Sequence, residues 1–132
     1  MLEHYPAEVK LVHKDAPIPD HSLSRPAAIA ALAAGEQKKY WEYHDTIMQN
    51  MSALGPESFL EFAKELGLDM DAFQKGLVDP KHEKHLEKDT QDAINADVQG
   101  RPTIFVNGRV FNTHTLDAFK GRIDEELKKK KK

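Results

Sequence analysis

The stretch from Val98 to Gly108, Val-Gln-Gly-Arg-Pro-Thr-Ile-Phe-Val-Asn-Gly, is the one the rest of the chain is arranged around, and it reads as turn, strand, turn. Gly100 allows a bend or a close approach, and Pro102 lacks an N–H and stops any helix arriving from the N-terminal side. Thr103 to Val106 is a short β-branched and aromatic run of the kind that favours extended backbone. Asn107-Gly108 then closes it, as the dipeptide that best supports a two-residue hairpin turn, and Arg109-Val110-Phe111 supplies the returning strand.

Around that hairpin the chain is mostly helical. Ala7 to Lys14, with Val9, Leu11 and Val12 set between Glu8, Lys10 and His13, predicts a short buried parallel strand. Asp15 to Asp20 holds two prolines and is an extended loop. Ser22 or Ser24 then caps a helix with Pro26 in its first turn and Ala27 to Ala34 as a dense run of small helix formers, interrupted by Gly35. A second helix follows between Glu36 and Met51, with Trp41 as its expected core anchor. Gly55-Pro56 breaks it, and Pro56 to Leu66 forms the next, with Phe59, Leu60, Phe62, Ala63 and Leu66 on one face and Gly67 at its end. Asp69 caps a short helix over Asp71 to Val78. Asp79-Pro80 opens a long polar one from Lys81 to about Ala96, in which only Leu86, Ala93 and Ile94 point inward. Thr115 caps a final helix whose Leu116, Phe119, Ile123 and Leu127 recur at helical spacing.

A helix-breaking Gly-x-Pro-Thr that enters a hairpin, after a long helical stretch and before a terminal helix, resembles the distal half of a thioredoxin fold. Phe-Val-Asn-Gly after Gly-x-Pro-Thr narrows the resemblance to the DsbA-like branch, the thiol-disulfide oxidoreductases. Other stretches strengthen it: the extended Pro-containing loop within Lys10 to His21, the Ala-rich helix from Pro26 to Ala34, the run Gln37-Lys38-Lys39-Tyr40-Trp41-Glu42-Tyr43-His44-Asp45, and Gly67-Leu68-Asp69 with Phe73. The fold implied is α/β and thioredoxin-like, with residues 1–21 and 97–132 as its core and residues 22–96 as an all-helical insertion.

The resemblance also implies that Pro102 is cis, and that Arg101, Pro102 and Thr103 form a loop facing the substrate. Two departures stand out. Arg101 occupies a position where the family carries Thr or Val, and its guanidinium would favour a nearby thiolate or a glutathione carboxylate. More consequential, the chain has no cysteine, so it can form no disulfide and offer no thiolate. Family members begin with a strand followed by Cys-x-x-Cys at the start of a helix, whereas Met1 to Pro6 resembles the last turn of that helix. The fold expected is therefore one lacking its first strand, a truncated form with a gap at the centre of its sheet. Exposed strand edges invite pairing with another chain. The chain is then a piece of a longer protein, is completed by a second copy or a complementing chain, or has repaired its strands.

The remaining sequence assigns no catalytic residue, no metal ligand and no cofactor. His82 and His85 lie three apart on a polar helix near Glu83, Glu87 and Asp89, a spacing that can hold a divalent ion, but it reads as a solvated charged face because structural sites recruit about four ligands from rigid supports. His44 and Asp45 are helix neighbours expected to point apart. Ser22, Ser24, Ser52 and Ser58 sit where caps or loop residues belong. Net charge of -3 argues against nucleic acid or an anionic membrane as the main partner, and Lys128 to Lys132 read as a solvated cationic helix end. No run reaches the ~20 apolar residues that span a bilayer, and the chain shows no export signal. Family members usually act outside the cytoplasm, so the compartment stays unassigned.

Three functions are compatible with these residues. The leading one is a DsbA-like thioredoxin-fold protein, redox-inactive in this cysteine-free form, whose partner is a protein or peptide substrate; whether it is an enzyme is left open. The second is a peptide-binding or self-associating module that uses the Pro102 loop and an open sheet edge. The third is a relative of glutathione-dependent isomerases or transferases, which requires an N-terminal serine site, and no serine precedes Tyr5.

Overall fold

The alanine run does what its small side chains permit. In a computed structural model describing residues 1–131, α1 (Ser24–Gly35) buries Ala28, Ala30, Ala31, Ala33 and Ala34 and lets its neighbours approach closely. Its N-cap is Leu23, with no side-chain capping bond. Neither expected serine caps it, and the Ser24 hydroxyl instead accepts from the Ile18 amide at 2.9 Å, tying down the proline loop that precedes the helix.

Residues 15–95 form one compact unit around α1. It contains α2 (Tyr40–Gln49), α3 (Ser58–Glu65), α4 (Met70–Leu77) and α5 (Pro80–Asn95). Its core joins the α1 alanines to Tyr43, Ile47, Phe59, Phe62, Ala63, Leu68 and Phe73. The buried Tyr43 hydroxyl donates to the Phe59 carbonyl at 2.8 Å, which satisfies a polar group that would otherwise be costly to bury. At Gly76 on α4 the two helices pack closely: a Cβ built there would lie 2.9 Å from the Ala33 Cβ of α1.

Trp41 is not the core anchor expected of it and remains 43% exposed. The inward face of α2 is set by Tyr43 and Ile47. Trp41 precedes Tyr43 by two residues, about 200° around a helix of 3.6 residues per turn. The inward residues of α5 also differ from expectation. His82, Leu86 and Asp89 are buried at i, i+4 and i+7, whereas Ile94 is 65% exposed.

The second unit comprises residues 1–14 and 96–132, described through 131. It holds an antiparallel hairpin of β1 (Phe105–Val106) and β2 (Arg109–Val110), then α6 (Leu116–Lys130). The Thr115 hydroxyl accepts from the Ala118 amide and caps α6 as expected. Phe119 of α6 lies with its ring 4.9 Å from that of Phe111, and Ile123 is buried. At the N-terminus the Tyr5 hydroxyl bonds to the Asp124 carboxylate at 2.8 Å and the Lys120 carbonyl at 3.3 Å. The expected strand over Val9 to Val12 does not form, and Leu11 and Val12 are 51% and 63% exposed. A strand requires a ladder partner, and the sheet among the described residues has two strands, both supplied by the hairpin.

Candidate substrate-facing loop

The loop is built by local bonds as α5 gives way to the hairpin. After Asn95 the chain turns at Asp97, whose φ is 56°, and the Gln99 amide donates to the Asp97 carboxylate at 2.5 Å. The Thr103 hydroxyl donates to the Gly100 carbonyl at 2.5 Å, closing a tight turn around Arg101 and Pro102. The Arg101–Pro102 peptide bond is cis, and both residues are exposed, with Thr103 half-buried below them.

Beyond the loop, the Phe111 amide donates to the Ile104 carbonyl at 2.8 Å, and the register pairs Phe105 with Val110 and Val106 with Arg109. Asn107 and Gly108 both have positive φ, 48° and 78°, the combination a two-residue type I′ turn requires. The Asn107 amide donates to the Glu126 carboxylate of α6 at 3.2 Å, fixing the turn against the helix. Lys129 at 2.7 Å, with help from Asn107, holds the Glu126 carboxyl below its ordinary pKa.

Arg101, Pro102 and Thr103 are thus contiguous at the mouth of the hairpin, and this arrangement can present a guanidinium and an extended backbone to a ligand. None of the three residues carries a thiol, and the sequence holds no cysteine. Among the described residues no group of three or more His, Cys, Asp or Glu is placed to hold a metal, and no helix is long and apolar enough to cross a membrane.

Other candidates resolve differently. His82, expected on a solvated face, is 6% exposed, and its Nε2 lies 2.5 Å from Glu36 Oε1, which also takes Lys81 at 3.1 Å. Those contacts hold the Glu36 carboxyl below its ordinary pKa, with the Lys81 hydrogen bond the largest cause and that of His82 acting in the same direction against partial desolvation. His85 lies 3.4 Å from the buried Asp89, whose carboxylate accepts from the Asp15 amide at 3.0 Å. His44 and Asp45 do meet, at 3.1 Å, contrary to the expectation that they point apart, and the His44 ring also packs against those of Tyr40 and Trp41. The Ser58 hydroxyl closes a turn with Gly55, accepting from its amide and donating to its carbonyl. The signal that could have found His82 and Asp89 is their spacing about Leu86, which places all three on one helical stripe.

The chain matches the family model described as DSBA-like thioredoxin domain over residues 5–124. It is 37% identical over 102 residues to the Na(+)/H(+) antiporter NhaA 1 of Salinispora arenicola, an alignment spanning 76% of this chain and 16% of the antiporter. It is 32% identical over 110 residues to the "Probable disulfide bond formation protein D" of Bacillus anthracis, spanning 78% of this chain and 50% of that one. Among solved structures, the thiol-disulfide exchange protein alpha-DsbA2 from Wolbachia pipientis superposes with a TM-score of 0.74 at 27% identity, covering 85% of this chain and 62% of that one. The oxidoreductase DsbA from Xylella fastidiosa superposes at 0.68 with 23% identity, a likeness of fold alone, covering 98% of this chain and 75% of that one. The fold is therefore thioredoxin-like, mostly helical, with a two-stranded sheet among the described residues.

Proposed function

Because the chain belongs to the DSBA-like thioredoxin domain family of thiol-disulfide oxidoreductases, we propose that it is a redox-inactive member that holds a protein substrate at the loop Arg101-Pro102-Thr103. The observation that carries the proposal is an exposed, internally braced loop in a chain without cysteine. Thiol-disulfide exchange needs a thiolate to attack one sulfur of a disulfide, release the other as a thiolate and leave a mixed disulfide that a second thiol resolves. This chain supplies neither thiol. What remains is the positioning half of the reaction: backbone to align an extended segment, and the Arg101 guanidinium to favour a thiolate carried by another molecule. In this reading residues 1–21 and 97–132 are the thioredoxin-like core, and residues 22–96 are the helical insertion.

The test uses a substrate that cannot exchange disulfides. Carboxymethylated α-lactalbumin, unfolded and without free thiols, is titrated into the 15N-labelled protein. Amide shifts concentrated on Gly100 to Ile104, weakened at least tenfold in Arg101→Ala, support the proposal. Absence of binding, or shifts that avoid this loop, would overturn it.

A further inference from the structure

We propose that the free edge of β2 and the facing side of α6 form a second binding surface, for an extended segment of a partner protein that adds as a strand and carries a carboxylate. The backbone sets this up. Because Ile104 and Phe111 form a hydrogen-bonded pair, antiparallel alternation makes Phe105 and Val110 a non-hydrogen-bonded pair. The Val110 N–H and C=O therefore point away from β1, toward the open edge. Such an edge is a ready template for strand addition, in which main-chain bonds give affinity and alternate side chains give selectivity.

The side chains beside that edge define what would pair with it. A shallow groove of about 450 Å³ runs between β2 and α6. Along its helical wall Ala118 and Gly121 leave room beside Arg122 and Glu125, and a Cβ added at Gly121 would meet nothing within 4 Å. Phe111 forms part of the opposite wall, so an apolar side chain of the incoming strand has a place to sit. Two arginines line the same groove. Arg122 is neutralised by Glu125 at 3.5 Å and Glu126 at 3.1 Å. Arg109 has no ion-pair partner among the described residues, and it lies two residues from Phe111, hence on the same face of the strand. A carboxylate on the incoming strand two residues from an apolar side chain complements this face, and that charge complementarity favours an acidic partner segment over a second copy of the chain.

The probe is a fluorescein-labelled heptapeptide, Ser-Thr-Asp-Thr-Leu-Thr-Ser, with binding read by anisotropy. Arg109→Glu should weaken binding at least tenfold, and the peptide with Lys in place of Asp should recover it on that variant. Val110→Pro removes an outward N–H without touching a bond to β1, and should weaken binding at least tenfold while the circular dichroism spectrum stays unchanged. Arg101→Ala should leave heptapeptide affinity within twofold, which separates this surface from the loop proposed above. The inference is overturned if the unvaried protein does not bind, or if binding survives both Arg109→Glu and Val110→Pro. It is also overturned if Arg101→Ala abolishes binding, or if light scattering shows a dimer that Val110→Pro dissociates.

Discussion

Replacing Gly76 by alanine sets two effects of opposite sign against each other, and the structure decides between them. Alanine is the better helix former, and within a helix the exchange is worth about 0.5–1 kcal/mol in favour of the variant. Against that, the new methyl would stand 2.9 Å from the Ala33 Cβ and 3.4 Å from its Cα. Neither atom is the end of a flexible side chain, so α1 or α4 must shift as a body, and overpacking of this kind costs roughly 1–3 kcal/mol. Gly76→Ala should therefore be destabilised by about 1 kcal/mol net, a fall in Tm of about 3–5 °C for a chain of this length. Urea unfolding followed by circular dichroism gives the value. The cycle with Ala33→Gly isolates the cause, since removing the Ala33 methyl makes room for the new one, and a favourable coupling of roughly 1–3 kcal/mol should appear. If Gly76→Ala is instead more stable than the parent, and the two substitutions add within about 0.3–0.5 kcal/mol, the helices do not meet where this reasoning places them.

Two further outcomes follow from named contacts. Asp69→Ala removes the side chain that accepts from the Ala72 amide at the start of α4 and should cost about 0.5–2 kcal/mol by thermal or urea unfolding. The backbone clasp of Asp69 with the Gln37 amide is retained and keeps the loss within that range. Glu36 makes stability pH-dependent: because Lys81 and His82 lower its folded pKa below the ordinary 4.5, its contribution is present above that value and is lost as pH falls through the lowered one. The parent should thus lose stability more steeply on acidification than Glu36→Gln, and parallel curves from urea midpoints against pH would contradict that assignment.

The elements that were legible in the sequence are those whose causes are local. Asn107-Gly108 specifies its turn through two positive φ angles that few other residue pairs tolerate, and Thr115 and Asp69 cap because a hydroxyl or carboxylate lies three residues before an amide it can reach. The turn at Arg101, Pro102 and Thr103 was legible for the same reason, being closed by its own hydroxyl, whereas the substrate-facing role assigned to it came from the family resemblance alone. What escaped depends on distant residues. Val9 to Val12 alternates like a strand, but alternation cannot supply the neighbour that a strand must pair with. His82 and Asp89 look like solvent-facing polar residues until Glu36, 46 residues away, and the Asp15 amide, 74 residues away, provide the bonds that let them be buried. Trp41 misled through size: a large aromatic ring is usually an anchor, yet the face of α2 is chosen by Tyr43, whose hydroxyl has a carbonyl to reach.

Whether this DsbA-like domain positions substrate without performing exchange is tested by adding the purified chain to reduced, unfolded ribonuclease A in a glutathione buffer. Ribonuclease activity should return no faster than in buffer alone. A Cys-bearing oxidoreductase added to the same mixture should raise the rate, showing that the substrate and buffer are competent. Acceleration by the pure chain, above the rate set by glutathione, would mean that a group other than a thiol of this protein carries out the exchange, and would contradict the claim.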